Sequence, residues 1–255
     1  MLIADLPALI DHTVLRPEAT KADVLRLCGE AVKYGFGVVF VPPCYVDDAM
    51  AAVKGTAIRV GIPVGFPLGG QTTKVKVAEA AEAAGRGARE LDMVINISRL
   101  KSGEYSVVRL DIEEVVKATP GVGHKVILET CYLTRDEKVT ACRLAVDAGA
   151  EYVKTSTGFG AGGATVEDVR LMKATVAGQA RVKASGGIRD WRTAQALLEA
   201  GGRSDRHQRR CEDCGGMVGG HETAMTPAVD RRVECIMIPR SAAASYSLWE
   251  ATCAV

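Results

Sequence analysis

Two lysines in this chain stand where an amine needs either a partner or a task. Lys154 lies in EYVKTSTGFG, where a short apolar strand runs into a glycine turn, and Lys183 lies in RVKASGG, which has the same shape. A lysine amine attacks carbonyls only when neutral, and partial burial together with a nearby cation both disfavour its charged form. If the two strands are neighbours, each lysine is the cation that the other needs. The bland alternative is that both are solvated or ion-paired, as strand-end lysines often are. The glycines add a second signal. Gly158 follows Lys154, and Gly186 and Gly187 follow Lys183, so both segments offer backbone N–H groups ahead of a helix, a geometry suited to phosphate.

The elements that must hold these residues follow a regular beat. Short β-branched runs at IDHTV, VVFV, IRVGIPVGFP, LDMVINI, KVILET, YVKTS and RVKAS are each followed by a helical pattern. The first helix is announced by Thr20 and Asp23, an N-cap and capping pair. Seven βα units predict parallel strands covered by helices, an α/β fold of the TIM (β/α)8 barrel type. Closure of such a barrel takes eight units, so one unit is missing or replaced. In such a barrel, strand C-termini and the loops after them line the active face. Those positions collect Asp11, Gly65-Phe66-Pro67, Asp92, Glu129, Lys154 and Lys183, a set of amines and carboxylates suited to carbonyl chemistry.

The bulk properties agree with small-molecule chemistry. The chain has 255 residues and a net charge of +1. That near-balance gives no support for a nucleic-acid or anionic-membrane partner. No basic leader and no long apolar run stands out, so a cytoplasmic protein is expected. Its eight cysteines then read as reduced thiols. Buried packing is expected for Cys28, Cys44, Cys131 and Cys142.

Taken in order, IDHTVLRPEAT, VGFPLGGQTTKVKVAEA, ELDMVINI, KVILET, YVKTSTGFG and VKASGGIRD resemble the deoxyribose-phosphate aldolase (DeoC) family from about residue 9 to residue 201. The resemblance implies a class I aldolase that uses no metal or other cofactor. It implies cleavage of 2-deoxy-D-ribose 5-phosphate to D-glyceraldehyde 3-phosphate and acetaldehyde, and common assembly as a homodimer. It makes Lys154 the Schiff-base lysine and Lys183 the second lysine that depresses its basicity. Asp92 matches the proton-relay aspartate, Asp11 an aspartate that orients the sugar, and Gly158, Gly186 and Gly187 part of the phosphate cradle. One departure is Pro42 in VFVPPCYV, where the family usually shows asparagine. Proline removes a backbone N–H and a polar side chain.

The resemblance stops where the chain changes character. Residues 1–201 read as the barrel domain, and 202–255 as an atypical tail rich in Arg, Gly, Ser and Ala. Within the tail, Cys211-x-x-Cys214 with His207 and His221 suggests zinc, but the spacing fits no common finger. A frameshift explains more. Residues 202–218 admit codons that, read one nucleotide later, give ADRIGTSAGVKIVEEW. That is the eighth unit the family continues with, and EAGADRIGTSAG echoes DAGAEYVKTSTG at 147–158. The expectation is an aldolase with an out-of-frame, poorly ordered end. The alternatives are a non-catalytic barrel that binds a phosphorylated ligand, and a barrel with a zinc-binding interaction tail.

Overall fold

A computed structural model describes residues 7–202 and the backbone of Cys235–Ile238. The predicted beat is present. Strands β1 (Asp11–Thr13), β2 (Val38–Phe40), β3 (Arg59–Val64), β4 (Glu90–Val94), β5 (Gly123–Ile127), β6 (Tyr152–Lys154) and β7 (Arg181–Ser185) lie side by side in chain order, all parallel. Helices α1 (Lys21–Tyr34), α2 (Val46–Ala52), α3 (Thr73–Gly85), α4 (Ile97–Lys101), α5 (Tyr105–Ala118), α6 (Arg135–Asp147), α7 (Val166–Val176) and α8 (Trp191–Gly202) connect them. Short α4 is the one helix without a sequence expectation. It begins where Asn96 accepts from the Arg99 N–H, inside a run that reads as continuous strand.

The helix starts follow from local chemistry. Thr20 and Asp23 form the expected capping box on α1, and Thr134 with Glu137 repeats it on α6. Each such cap contributes about 1 kcal/mol. Gly35 ends α1 in the left-handed conformation, φ 72°. The helices lay apolar faces on the sheet. Val24, Leu27 and Ala31 of α1, Ile112 and Val115 of α5, and Val169 and Met172 of α7 are all buried.

The eighth position holds a finding. Cys235–Ile238 forms strand β8, which pairs with β7 antiparallel, Ser185 opposite Cys235 and Val182 opposite Ile238. The loss of a native eighth unit predicts two open edges. Instead the sheet runs from β1 to β8, and β8 also approaches β1. A row of unpaired backbone groups on β7 is a ready template for any extended segment, and this one runs opposite to a βα unit. His207, Cys211, Cys214 and His221 lie outside the described residues, as does most of the tail.

Two expectations need correction. Cys28 and Cys142 are buried, but Cys44 and Cys131 are exposed, because each sits in a 3-10 turn just beyond its strand. The charged residues also sit lower than strand-end placement suggests. Asp11 opens β1, and Asp92 and Lys183 are central in β4 and β7. Inside a small barrel an inward side chain meets its neighbours across the axis, so opposite charges neutralise one another there instead of reaching a rim.

Candidate active site

Inside the curled sheet the inward side chains of six strands build one ion cluster. Lys154 Nζ donates to Asp92 Oδ2 at 2.7 Å, and Lys183 Nζ donates to the same oxygen at 3.0 Å. Two amines hydrogen-bonded to one oxygen lie side by side inside the barrel. Lys183 also pairs with Asp11 Oδ2. Register explains the approach, since Lys154 and Lys183 are directly paired across β6 and β7. Lys183 is fully buried, Lys154 is 4 % exposed, and Asp11 and Asp92 are each 1 % exposed.

A third lysine, absent from the sequence expectation, completes the set. Lys125 of β5 is fully buried and donates to Glu90 Oε2 at 2.6 Å. It also lies 3.2 Å from Asp92 Oδ1 and 3.5 Å from Asp11 Oδ2. Below it, Glu90 pairs with Arg59, whose side chain reaches solvent. The signal was in the period of two, which puts Glu90 and Asp92 on one face of β4. Phe40 fills the remaining side. Its ring centroid lies 4.5 Å from Lys183 Nζ, 4.6 Å from Lys125 Nζ and 5.8 Å from Lys154 Nζ. Gly61, paired with Phe40 across β2 and β3, makes the room, since a Cβ there would lie 2.6 Å from the ring.

The electrostatics follow from this crowding. Burial pushes the Asp92 carboxyl upward, but Lys125, Lys154 and Lys183 outweigh it and hold it well below the usual carboxylate range. Asp11 is lowered for the same reason, burial being outweighed by Lys183 and Lys125. Burial opposes the charge on Lys125, yet Asp92, Asp11 and Glu90 raise its pKa above the ordinary lysine value.

The two glycine turns are joined by hydroxyls. Ser185 N–H donates to Thr155 Oγ1 at 3.0 Å, Thr155 Oγ1 donates to Ser185 O at 3.1 Å, and Ser185 Oγ donates to Ser156 O at 2.5 Å. Gly158, Gly186 and Gly187 have φ of 86°, 81° and 78°, which side-chain-bearing residues rarely adopt. Gly163 packs on the Gly186 carbonyl, where a Cβ would lie 2.3 Å from the oxygen. Glu129, itself left-handed at φ 53°, accepts from the N–H and hydroxyl of Thr157 and so anchors the first turn. Ser156 Oγ is buried with no hydrogen-bond partner among the described residues. The structure thus brings Lys154, Lys183, Asp92 and Asp11 into one cluster, with Gly158, Gly186 and Gly187 in adjoining turns. Pro42 precedes a 3-10 turn at the end of β2.

Comparison with known proteins fits this arrangement. Residues 6–221 match the DeoC/LacD family aldolase model. The chain belongs to this family of aldolases. It is 55% identical over 200 residues to a deoxyribose-phosphate aldolase of Thermoanaerobacter sp. (strain X514), covering 77% of this chain and 90% of the relative. It is 52% identical over 192 residues to the enzyme of that name from Streptococcus sanguinis (strain SK36), covering 75% and 87%. Among solved structures, a putative deoxyribose-phosphate aldolase from Coccidioides immitis superposes with a TM-score of 0.77 at 44% identity, over 78% of this chain and 80% of that one. The tetrameric deoxyribose phosphate aldolase from Aeropyrum pernix gives 0.73 at 33% identity, over 78% and 84%. No helix among the described residues is long and apolar enough to cross a membrane.

Proposed function

We propose that the chain is a Schiff-base aldolase that cleaves 2-deoxy-D-ribose 5-phosphate to D-glyceraldehyde 3-phosphate and acetaldehyde, and runs the reverse condensation. One observation carries the assignment of Lys154, namely that its Nζ shares Asp92 Oδ2 with Lys183 Nζ. A second ammonium beside it favours the neutral, nucleophilic amine. Lys154 adds to the aldehyde carbon and, with loss of water, forms an iminium. A base takes the proton from the C3 hydroxyl as the C2–C3 bond breaks, and the electron pair passes into the iminium to give an enamine. Glyceraldehyde 3-phosphate leaves; protonation of the enamine carbon and hydrolysis release acetaldehyde and restore Lys154. In this reading Asp92 and Lys183 relay protons, Asp11 orients the sugar, and Gly158, Gly186 and Gly187 meet the phosphate with backbone N–H groups.

The reading extends to the chain end. The barrel domain is 1–201, and residues 202–255 are translated out of frame, which removes the eighth unit's share of the phosphate site. Chemistry at Lys154 is retained while phosphate affinity falls. The surroundings are a cytoplasmic compartment, and the enzyme acts as a homodimer on a phosphorylated sugar. Borohydride reduction in the presence of acetaldehyde tests the chemistry: the label is expected on Lys154, and folded protein that takes none there refutes it. Sequencing the DNA around the codons of Gly201 and Gly202 tests the frame, and a coding string without the hidden eighth unit rejects the shift.

A further inference from the structure

Three lysines share the barrel interior, yet the proposed reaction needs one of them, and always the same one, to be without its proton. Their surroundings rank them. Among the described residues Lys125 lies within 3.5 Å of three carboxylates, Glu90, Asp92 and Asp11. Among the same described residues, Lys183 contacts two carboxylates, Asp11 and Asp92, and Lys154 contacts Asp92 alone. The Phe40 ring, whose negative face favours cations, also places Lys154 last, at 5.8 Å against 4.5 Å for Lys183 and 4.6 Å for Lys125. Two independent kinds of contact therefore leave Lys154 as the least supported cation.

We infer that Glu90 and Lys125 are positioning residues that fix a permanent ammonium at the barrel floor, so that the missing proton always falls on Lys154. This rests on the Schiff-base reading above. Glu90 is the only one of the three carboxylates that contacts Lys125 and neither of the other lysines among the described residues. Asp92, by contrast, contacts all three amines. Glu90 thus adds support to Lys125 without adding any to Lys154. Arg59 on β3 contacts Glu90 from the solvent side. The charged and titratable groups around this column are Asp11 on β1, Arg59 on β3, Glu90 and Asp92 on β4, His124 and Lys125 on β5, Tyr152 and Lys154 on β6, and Arg181 and Lys183 on β7.

The test is the pH at which acetaldehyde and borohydride half-maximally label Lys154, read by mass spectrometry of proteolytic fragments, together with the acid limb of kcat/KM. In Glu90→Gln, Lys125 loses its private partner and the proton vacancy moves onto it. Lys154 then keeps its proton to higher pH, and the limb rises by about one unit, a tenfold loss of labelling on its acid side. Simple removal of a negative charge, with Lys125 still an ammonium, shifts the limb downward instead. Lys125→Met also raises the limb, whereas a Lys125 that was never the fixed cation leaves it unmoved. Glu90→Asp, which keeps the anion, returns the limb toward the parent position. A limb that stays or falls in either folded variant overturns the inference. Should neither fold, the parent protein decides: label confined to Lys154 among the three barrel lysines supports the inference, and label on Lys125 rejects it. Parent protein that takes no label on Lys154 sinks the aldolase reading itself, a result distinct from a labelled parent with an unmoved limb.

Discussion

Two regions of this protein bury lysines completely, and they do so in opposite ways. Between α3 and α5, Lys76 Nζ donates to Asp111 Oδ2 at 2.7 Å and to the Val94 carbonyl at 3.0 Å, while Thr73 Oγ1 donates to Asp111 Oδ1 at 2.8 Å. One cation meets one anion, and neighbouring backbone and hydroxyl groups complete the site. Inside the barrel three cations and three anions share partners, with two amines on one oxygen of Asp92. The first arrangement is a closed pair, in which burial lowers the pKa of Lys76 against the pull of Asp111. In the second, two amines share one anion, the arrangement on which the proposed carbonyl chemistry rests. On the proposed reading, shared partners and not burial alone mark the reactive lysine.

The comparison can be broken most sharply at Lys154. Lys154→Met is expected to lower turnover by about a thousandfold or more and abolish borohydride labelling at that position. Its circular dichroism stays that of the parent, because Asp92 keeps Lys125 and Lys183. Lys76→Met should do the reverse. It strands Asp111 without its cation and is expected to cost about 3 kcal/mol, read as a lower denaturant midpoint at unchanged slope. The kcat of the folded fraction stays within about twofold, since Lys76 contacts none of the barrel lysines or their carboxylates among the described residues.

Acid sharpens the contrast further. The folded values of Asp92 and Asp11 are depressed below the ordinary 3.8, so the native state releases these protons more readily than the unfolded chain. Their contribution is fully present above that ordinary value and is lost as pH falls through the lowered folded values. A stability curve measured by denaturant titration should therefore decline on the acid side, and Asp92→Asn should flatten part of that decline. The smallest expected effect is in the thiols. Burial pushes Cys28 up to about 11 and Cys142 up to about 12. Cys44 and Cys131, exposed in their turns, should alkylate first with iodoacetamide near neutral pH.

Much of this was legible in the chain. The βα beat, the Thr20–Asp23 cap and the adjacency of Lys154 and Lys183 follow from local patterns, because strand period, cap chemistry and sequential neighbours are all local. Lys125 and Glu90 were not recognised, although each sits at an inward position of its strand. Their meaning depends on which strands face each other across the axis, and no single segment records that. The antiparallel course of β8 was equally hidden, for a short apolar tetrad carries no direction. The placement of Cys44 and Cys131 failed for a simpler reason, since a residue just past a strand can leave the core within one turn.

Phe40 and Gly61 carry a consequence for how such a sequence can drift. The aromatic ring occupies the space that the missing side chain opens, so the two positions form a lock in which neither half tolerates change alone. An alanine at 61 collides with the ring, and a small residue at 40 leaves a hollow under the amines. Lineages or libraries that alter this floor must therefore move both codons together, and a search that varies one site at a time will never cross that valley.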